Sequence, residues 1–328
     1  MKRLIRKKNI LITGGAGYIG SVLCSIIKKK YYKSIKVFVI DNLSSGKKKY
    51  LRCHKFNQFN LSDKYKLNNF FEKNKIDEVV HLAGYTNLRD KNFRKFNENN
   101  YLATKHLVDC INKYRIKKFV FASTASVYGN PKKIPIKEND KILPISHYGK
   151  SKLKAEEYII RKSNLICKSI ILRFFNASGA SIKLKLGEDK NPPEHLIPII
   201  LNNLFKKKNI YIYNKFKTID GTGVRDYIHV EDIALAIIKS LSYLSKSKKN
   251  YEIFNLGSQI GESSLSILKK IEKILNKKIY FKFKVKKMGE PNILLASSLK
   301  AKKILDWKIK KNITSILKDS VFWEKFIK

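Results

Sequence analysis

A chain of 328 residues, 43% of them hydrophobic, can bury a sizeable core as one large domain or two closely packed ones, and its composition carries no mark of disorder. Its formal charge of +44 points at first to nucleic acid, yet the lysines form no single stripe and accompany the Asn, Ile, Phe and Tyr that A/T-rich codons also encode, so no nucleic-acid partner is expected. Four dispersed cysteines without a CxxC, and histidines without ligand spacing, exclude a disulfide framework and a metal centre, and no apolar run is long enough to span a membrane.

The opening MKRLIRKKNILITGG starts like a signal peptide, but its apolar run stops at Thr13-Gly14-Gly15. With cysteines that need no oxidant, the cytoplasm is the expected compartment. Asn9 to Thr13 reads as a strand and Ile19 to Lys29 as a helix. Between them lies TGGAGYIG. Glycine reaches φ > 0 in such a turn, and its missing Cβ lets a diphosphate approach the backbone where the helix N-terminus offers N–H groups and partial positive charge. The second strand, Lys36 to Ile40, ends in Asp41, whose carboxylate suits the hydroxyls of an adenosine ribose. A carboxylate repels a 2′-phosphate, and Asn42, Leu43, Ser44, Ser45 and Gly46 bring no Arg, so NAD is favoured over NADP even with Lys47 to Lys49 close behind.

Further strands are expected at Asp77 to Ala83, Lys118 to Ser123 and Ser169 to Phe174, and helices at Phe93 to Tyr114 and Tyr148 to Ser163. This is the alternation of βαβ units on a parallel sheet. After Asn176 it breaks: Pro192, Pro193 and Pro198 interrupt the pattern, and short elements follow in no regular order. The expected architecture is α/β, with a Rossmann-type doubly wound domain over residues 1–176 and a smaller substrate-binding region over 177–328, some segments of which return to the first.

Two features at the strand ends carry chemistry. The strand from Lys118 runs into Thr124, beside the crevice where open α/β sheets bind ligands. One helix later, SHYGKSK sets Tyr148 four residues before Lys152, so that phenol and ammonium share a helix face. In a chain so rich in Lys and Tyr the pair alone says little, but a nicotinamide at the strand ends gives it a task. A phenol with pKa about 10 is a poor base at neutral pH; a neighbouring ammonium and the positive nicotinamide both favour the phenolate. Tyr148 then removes a hydroxyl proton while the carbon beneath gives hydride to NAD, and Thr124 orients the hydroxyl.

TGGAGYIGS, DNLSSG, HLAG, STASVYG, YGKSK, LRFFNASGA, GED, HLIP and GTGVRDYIHV follow in an order and spacing that resembles the UDP-glucose 4-epimerases, a branch of the extended short-chain dehydrogenase/reductase family, over nearly the whole chain. Related dehydratases and decarboxylases carry an acidic residue just after the catalytic Ser or Thr, where this chain has Ala125-Ser126. The resemblance implies an isomerase of nucleotide-sugar and galactose metabolism. It would interconvert UDP-glucose and UDP-galactose on tightly held NAD, by C4 oxidation, rotation of the 4-keto sugar and re-reduction.

The resemblance also implies roles. Tyr148 is the proton acceptor, Thr124 its hydroxyl partner, and Lys152 the group that holds the nicotinamide ribose and lowers the phenol pKa. Gly14, Gly17, Tyr18, Ile19, Gly20, Asp41 to Gly46, Asn60, Leu61, Leu82, Ala83, Gly84, Tyr85, Thr86, Asn99 and Phe175 line NAD. Asn176, His195, Leu196, Arg225, Lys287 and Glu290 hold the UDP-sugar together with Thr124 and Tyr148. Three departures stand out. Asn60 replaces an Asp facing adenine; Lys287 and Glu290 replace an Arg and an Asp on the diphosphate and uridine ribose; and the stretch between Thr86 and Asn99 is about two residues short. A homodimer through the helices around Phe93–Tyr114 and Tyr148–Ser163 is implied as well. Leu294, near a position that gates bulk at the sugar C2, keeps open a UDP-N-acetylhexosamine 4-epimerase, and a non-catalytic nucleotide- or RNA-binding Rossmann protein is the alternative from another class.

Overall fold

The computed structural model describes residues 7–87, 90–163, 167–286 and 290–327; Lys287, expected on the substrate diphosphate, lies outside them. Strands β1 (Lys8–Thr13), β2 (Ile35–Ile40), β3 (Lys55–Asn57), β4 (Glu78–His81), β5 (Lys118–Thr124) and β6 (Lys168–Phe174) alternate with helices α1 (Tyr18–Lys30), α2 (Lys64–Lys73), α3 (Phe93–Phe96), α4 (Ala103–Lys113) and α5 (His147–Lys162). With a later strand, Tyr251–Leu256, they form a seven-stranded parallel sheet in the order β3-β2-β1-β4-β5-β6 and then that strand. The order reverses between β1 and β4, which opens a crevice at their C-terminal ends. Consecutive residues of the inner strands are buried, among them Leu11, Ile12, Val79, Val80, Phe119 and Val120, as befits strands covered on both faces. Leu107 and Ile111 of α4 and Ala155 and Ile159 of α5 pack in one cluster with Phe119, Phe121 and Ile171.

Two elements of this sheet escape the sequence. β3 is three residues long, and α2 (KYKLNNFFEK) hides its buried Leu67, Phe70 and Phe71 among Lys and Asn. The helix expected from Phe93 to Tyr114 is interrupted by a π-helical turn over Asn97–Leu102, a device that concentrates at functional sites.

The chain divides into two compact units. The first takes residues up to Thr124, Ser146–Leu172 and Ala234–Phe254; the second takes Ala125–Ile145, Arg173–Ile233 and the chain from Asn255 onward. In the second unit lie β7 (Asn176–Ser178), β8 (Ala180–Ser181), β9 (Leu186–Gly187), α6 (Leu196–Phe205), β10 (Tyr211–Asn214) and β11 (Val224–His229). Helix α7 (Val230–Leu244) and β12 (Tyr251–Leu256), the seventh strand of the large sheet, carry the returning segment. β13 (Gly261–Ser263), α8 (Ser264–Leu275), β14 (Lys282–Val285), β15 (Ile293–Leu294), α9 (Leu299–Leu305) and α10 (Ile313–Phe326) complete it. Strand β11 is the hub, paired with β7, β13 and β15. Ile200 and Leu201 of α6, Ile267 and Ile271 of α8, and Ile316 and Leu317 of α10 form this unit's core. Its elements are not all short as expected: α8 and α10 run to 12 and 14 residues.

Candidate active site

The first unit holds a dinucleotide cradle built from the β1–α1 turn. Gly14 has φ +73°, and a Cβ on it would meet Ala83 N at 2.6 Å; a Cβ on Gly20 would meet Gly14 O at 2.1 Å. Both glycines are demanded by the protein's own packing. Gly17 is different, for a Cβ there would meet only Gly14 O, at 3.3 Å. It caps α1 without a side-chain hydrogen bond, so its bareness keeps the helix N-terminus open to an anion. Tyr18 and Ile19 form the first turn of that helix.

Asp41 closes β2 with its carboxylate buried. One oxygen accepts from Ala16 N at 2.9 Å and the other from Leu43 N at 2.8 Å. Burial raises its pKa, against the pull of these two bonds. The carboxylate thus pins the glycine turn to the Asp41–Gly46 loop and retains lone pairs for a ribose. In that loop Asn42 Oδ1 accepts from Ser44 N at 3.0 Å, and a Cβ on Gly46 would strike the Ala16 backbone at 2.8 Å. Asn60 and Asn99, both expected to line NAD, are neighbours: Asn60 Nδ2 donates to Asn99 Oδ1 at 3.3 Å, and Asn60 Oδ1 accepts from Ser62 N at 3.1 Å. The adjoining Leu61 is buried.

The loop after β4 is tied from two sides. His81 is held between Thr13 Oγ1 at 2.6 Å and Thr104 Oγ1 at 2.9 Å. Because Thr104 donates to the Asn100 carbonyl, it accepts from His81 Nε2–H, and Thr13 donates to Nδ1. Burial holds the imidazole pKa well below its ordinary value, so His81 is a neutral tie and not a ligand. Leu82 N donates to Thr13 O, and Tyr85 N and O are both bonded by the side-chain amide of Asn100, which also donates to Ser151 Oγ at 2.9 Å. Asn100, in the π-helical turn, was missed in the sequence; a polar residue among buried neighbours of a helix was its only signal. The Tyr85 ring packs on Phe96 and its hydroxyl donates to Asp90 at 2.6 Å, with Ala83, Gly84 and Thr86 on either side along this loop.

The reactive set stands beside this loop. Ser146 caps α5 by accepting from Gly149 N at 3.0 Å, which puts Tyr148 in the first helical turn. Thr124, at the end of β5, is hydrogen-bonded to the Tyr148 phenol. Lys152 is buried one turn on, its Nζ 4.0 Å from the Phe121 ring centroid, and a Cβ on Gly84 would come within 4.0 Å of that nitrogen. Burial pushes the Tyr148 phenol up to about 12, with the Thr124 bond pulling the other way; the protein's own groups do not acidify it. Burial likewise pushes Lys152 down, to about 7, against the opposing field of Glu156.

In the second unit, His195 caps α6 and its Nδ1 lies 2.8 Å from both Glu188 oxygens. Desolvation lowers its pKa, but the Glu188 carboxylate outweighs this and the net shift is upward. Leu196 begins α6. Arg225, on β11, donates to the Val224 and Asn292 carbonyls at 2.9 and 3.3 Å; burial lowers its pKa, with Tyr227 and Glu290 pulling the other way. Glu290 also lines an open cavity of about 360 Å³ with Lys217, Lys286 and Asn292; the two lysines were not singled out in the sequence. Asn176 starts β7 opposite Tyr227 of β11, and Phe175 is bonded through its N–H to Leu256 O. Beneath Arg225, the buried Asp226 gathers Ser258 N and Oγ, Gln259 N and Ala296 N, another residue the sequence did not reveal.

A Rossmann sheet with a glycine turn, an acidic strand end and a Thr/Tyr/Lys set defines a nucleotide-dependent oxidoreductase-type site. The chain belongs to the NAD dependent epimerase/dehydratase family, which it matches over residues 10–257. It is 39% identical to the UDP-glucose 4-epimerase of Lacticaseibacillus casei and 37% identical to that of Streptococcus mutans, in each case over 91% of both chains. Its fold superposes with a TM-score of 0.91, at 26% identity and 98% of both chains, on the Stenotrophomonas maltophila UDP-glucose-4-epimerase solved with NAD and formylated UDP-arabinopyranose. With the Bifidobacterium longum UDP-glucose 4-epimerase, solved with NAD+ and UDP, the score is 0.89 at 29% identity, over 97% of this chain and 98% of that one. Among the described residues no helix is long and apolar enough to cross a membrane, and no group of three His, Cys, Asp or Glu side chains could hold a metal ion.

Proposed function

We propose that this protein is an NAD-dependent UDP-glucose 4-epimerase, interconverting UDP-glucose and UDP-galactose. The observation that carries the reading is the Thr124–Tyr148 hydrogen bond with Lys152 one turn further along α5. When bound, NAD supplies a reversible hydride acceptor and a positive ring that favours the phenolate. Gly14 and Gly20 let the turn close and Gly17 leaves the helix N-terminus open to the diphosphate, and Asp41 excludes a 2′-phosphate. Thr124 holds the sugar hydroxyl, Tyr148 takes its proton and later returns it to the C4 oxygen once the sugar has turned its other face, and Lys152 supplies positive charge beside the phenol. Asn176, His195, Leu196, Arg225 and Glu290 anchor the UDP, with Lys217 and Lys286 adding charge that a diphosphate can use. Firm anchoring of UDP alone leaves the hexose free to turn between the two proton transfers.

A second substrate class has one supporting feature. Leu294, in β15, is directly paired with Arg225 of β11, and a side chain without an aromatic ring there leaves space for an acetamide at C2. The working form we propose is a homodimer through α4 and α5 in the cytoplasm, where the four free thiols need no oxidising partner. The test is to denature the purified protein, identify the released dinucleotide, and assay the native form on UDP-galactose and UDP-N-acetylgalactosamine. Absence of NAD together with no turnover of either sugar would refute the reading.

A further inference from the structure

Glu156 takes no part in the proton and hydride transfers described above, yet it is 1% exposed. It lies on α5 four residues after Lys152, on the same helix face, and its carboxylate accepts a hydrogen bond from the Ser123 hydroxyl. Ser123 is itself buried and immediately precedes Thr124 on β5. A buried carboxylate held in place by a neighbouring strand, one turn from a buried amine, is an expensive arrangement to keep without a function for its charge.

We propose that Glu156, fixed by Ser123, is the positioning residue that keeps Lys152 in its ammonium form and thereby sustains the positive charge beside Tyr148. The inference rests on the epimerase reading for its consequence but not for its geometry. Among the described residues, the other groups that face Lys152 bring no carboxylate. From β4 comes His81, neutral and more easily kept so by the Lys152 charge; from β5 the Phe121 ring; from the β4 loop Gly84; and from the N-terminal turn of α5 the phenol of Tyr148. The Phe121 ring draws the ammonium to its face, but only Glu156 sets a carboxylate against the burial that pushes Lys152 down to about 7. Without it, the amine has a desolvation penalty and no compensating anion, so it sheds its proton at a lower pH.

The test compares the NAD-loaded wild type with Glu156→Gln, which preserves shape and an acceptor for Ser123 while removing the charge. Lysine labelled with ¹³C at Cε is titrated by NMR, the Lys152 resonance being identified by its loss in Lys152→Arg. The Lys152 midpoint is expected to fall by about one pH unit in Glu156→Gln and to recover in Glu156→Asp, and the alkaline limb of the kcat–pH profile on UDP-galactose moves the same way. An unchanged midpoint in Glu156→Gln overturns the proposal. If Glu156→Gln does not fold, Ser123→Ala decides: a smaller downward shift supports it and no shift overturns it. A shifted midpoint in a protein that epimerises neither sugar would instead remove the epimerase reading and leave the charge pairing standing.

Discussion

Asp226 and Ser258 are joined twice, through the Ser258 N–H at 2.5 Å and its hydroxyl at 2.7 Å, and the same carboxylate takes Gln259 N at 3.0 Å and Ala296 N at 3.1 Å. One side chain therefore locks the 257–259 loop and the segment after β15 onto the strand that carries Arg225. Even glycine is required opposite it, since a Cβ on Gly257 would lie 2.4 Å from Asp226 Oδ2. Asp226→Ala leaves several buried N–H groups without an acceptor and is expected to cost about 3 kcal/mol of stability. Urea denaturation measures this, and loss of less than about 1 kcal/mol would mean that water replaces the carboxylate.

Gly17 and Gly20 separate binding from folding. Gly20→Ala drives a methyl into the Gly14 carbonyl, whereas Gly17→Ala meets the same oxygen only at 3.3 Å. Gly20→Ala is expected to lower the melting temperature strongly. Gly17→Ala should leave it nearly unchanged while weakening NAD retention, measured by the absorbance of the released dinucleotide. Equal effects of the two substitutions on melting would contradict this division.

Arg225→Lys keeps the charge but loses the planar fork. A rise in KM for UDP-galactose of about tenfold with kcat nearly unchanged is expected, because only the anchoring of the nucleotide is touched. Steady-state kinetics over a range of UDP-galactose concentrations reads both constants. A fall in kcat with KM unaltered would move Arg225 from anchoring to chemistry.

The His195–Glu188 contact makes stability depend on pH in a defined direction. The folded-state pKa of His195 is raised by Glu188, so the pair's contribution is fully present below the ordinary histidine pKa and disappears as pH rises through the raised value. The melting temperature of wild type minus that of Glu188→Gln should therefore shrink between about pH 5.5 and pH 8.5. A difference that stays constant or grows with pH would contradict the upward shift of His195.

What the sequence discloses about this protein is what is local. The glycine turn, Asp41, Thr124 and the Tyr148/Lys152 spacing sit at strand and helix boundaries that periodicity marks, and the large sheet follows from them. The residues it conceals work through long-range contacts. Asn100 meets Tyr85 and Ser151 only once the π-helical turn packs against the loop after β4 and against α5, Asp226 acquires its partners from loops more than thirty residues away, and Ser123 finds Glu156 across the β5–α5 interface. The excursion of Ala125–Ile145 into the second unit has no compositional boundary. Nor does spacing reveal that burial moves Tyr148 and Lys152 away from the charged forms that their proximity suggests.

The most direct measurement is the turnover of UDP-galactose by Tyr148→Phe, with bound dinucleotide counted in the same sample. Removing only the phenol oxygen leaves the α5 backbone and the glycine cradle untouched, so NAD should remain at the wild-type stoichiometry while kcat falls by about a thousandfold or more. Retained NAD with kcat within about tenfold of wild type would contradict the assignment of Tyr148 as the group that moves the proton.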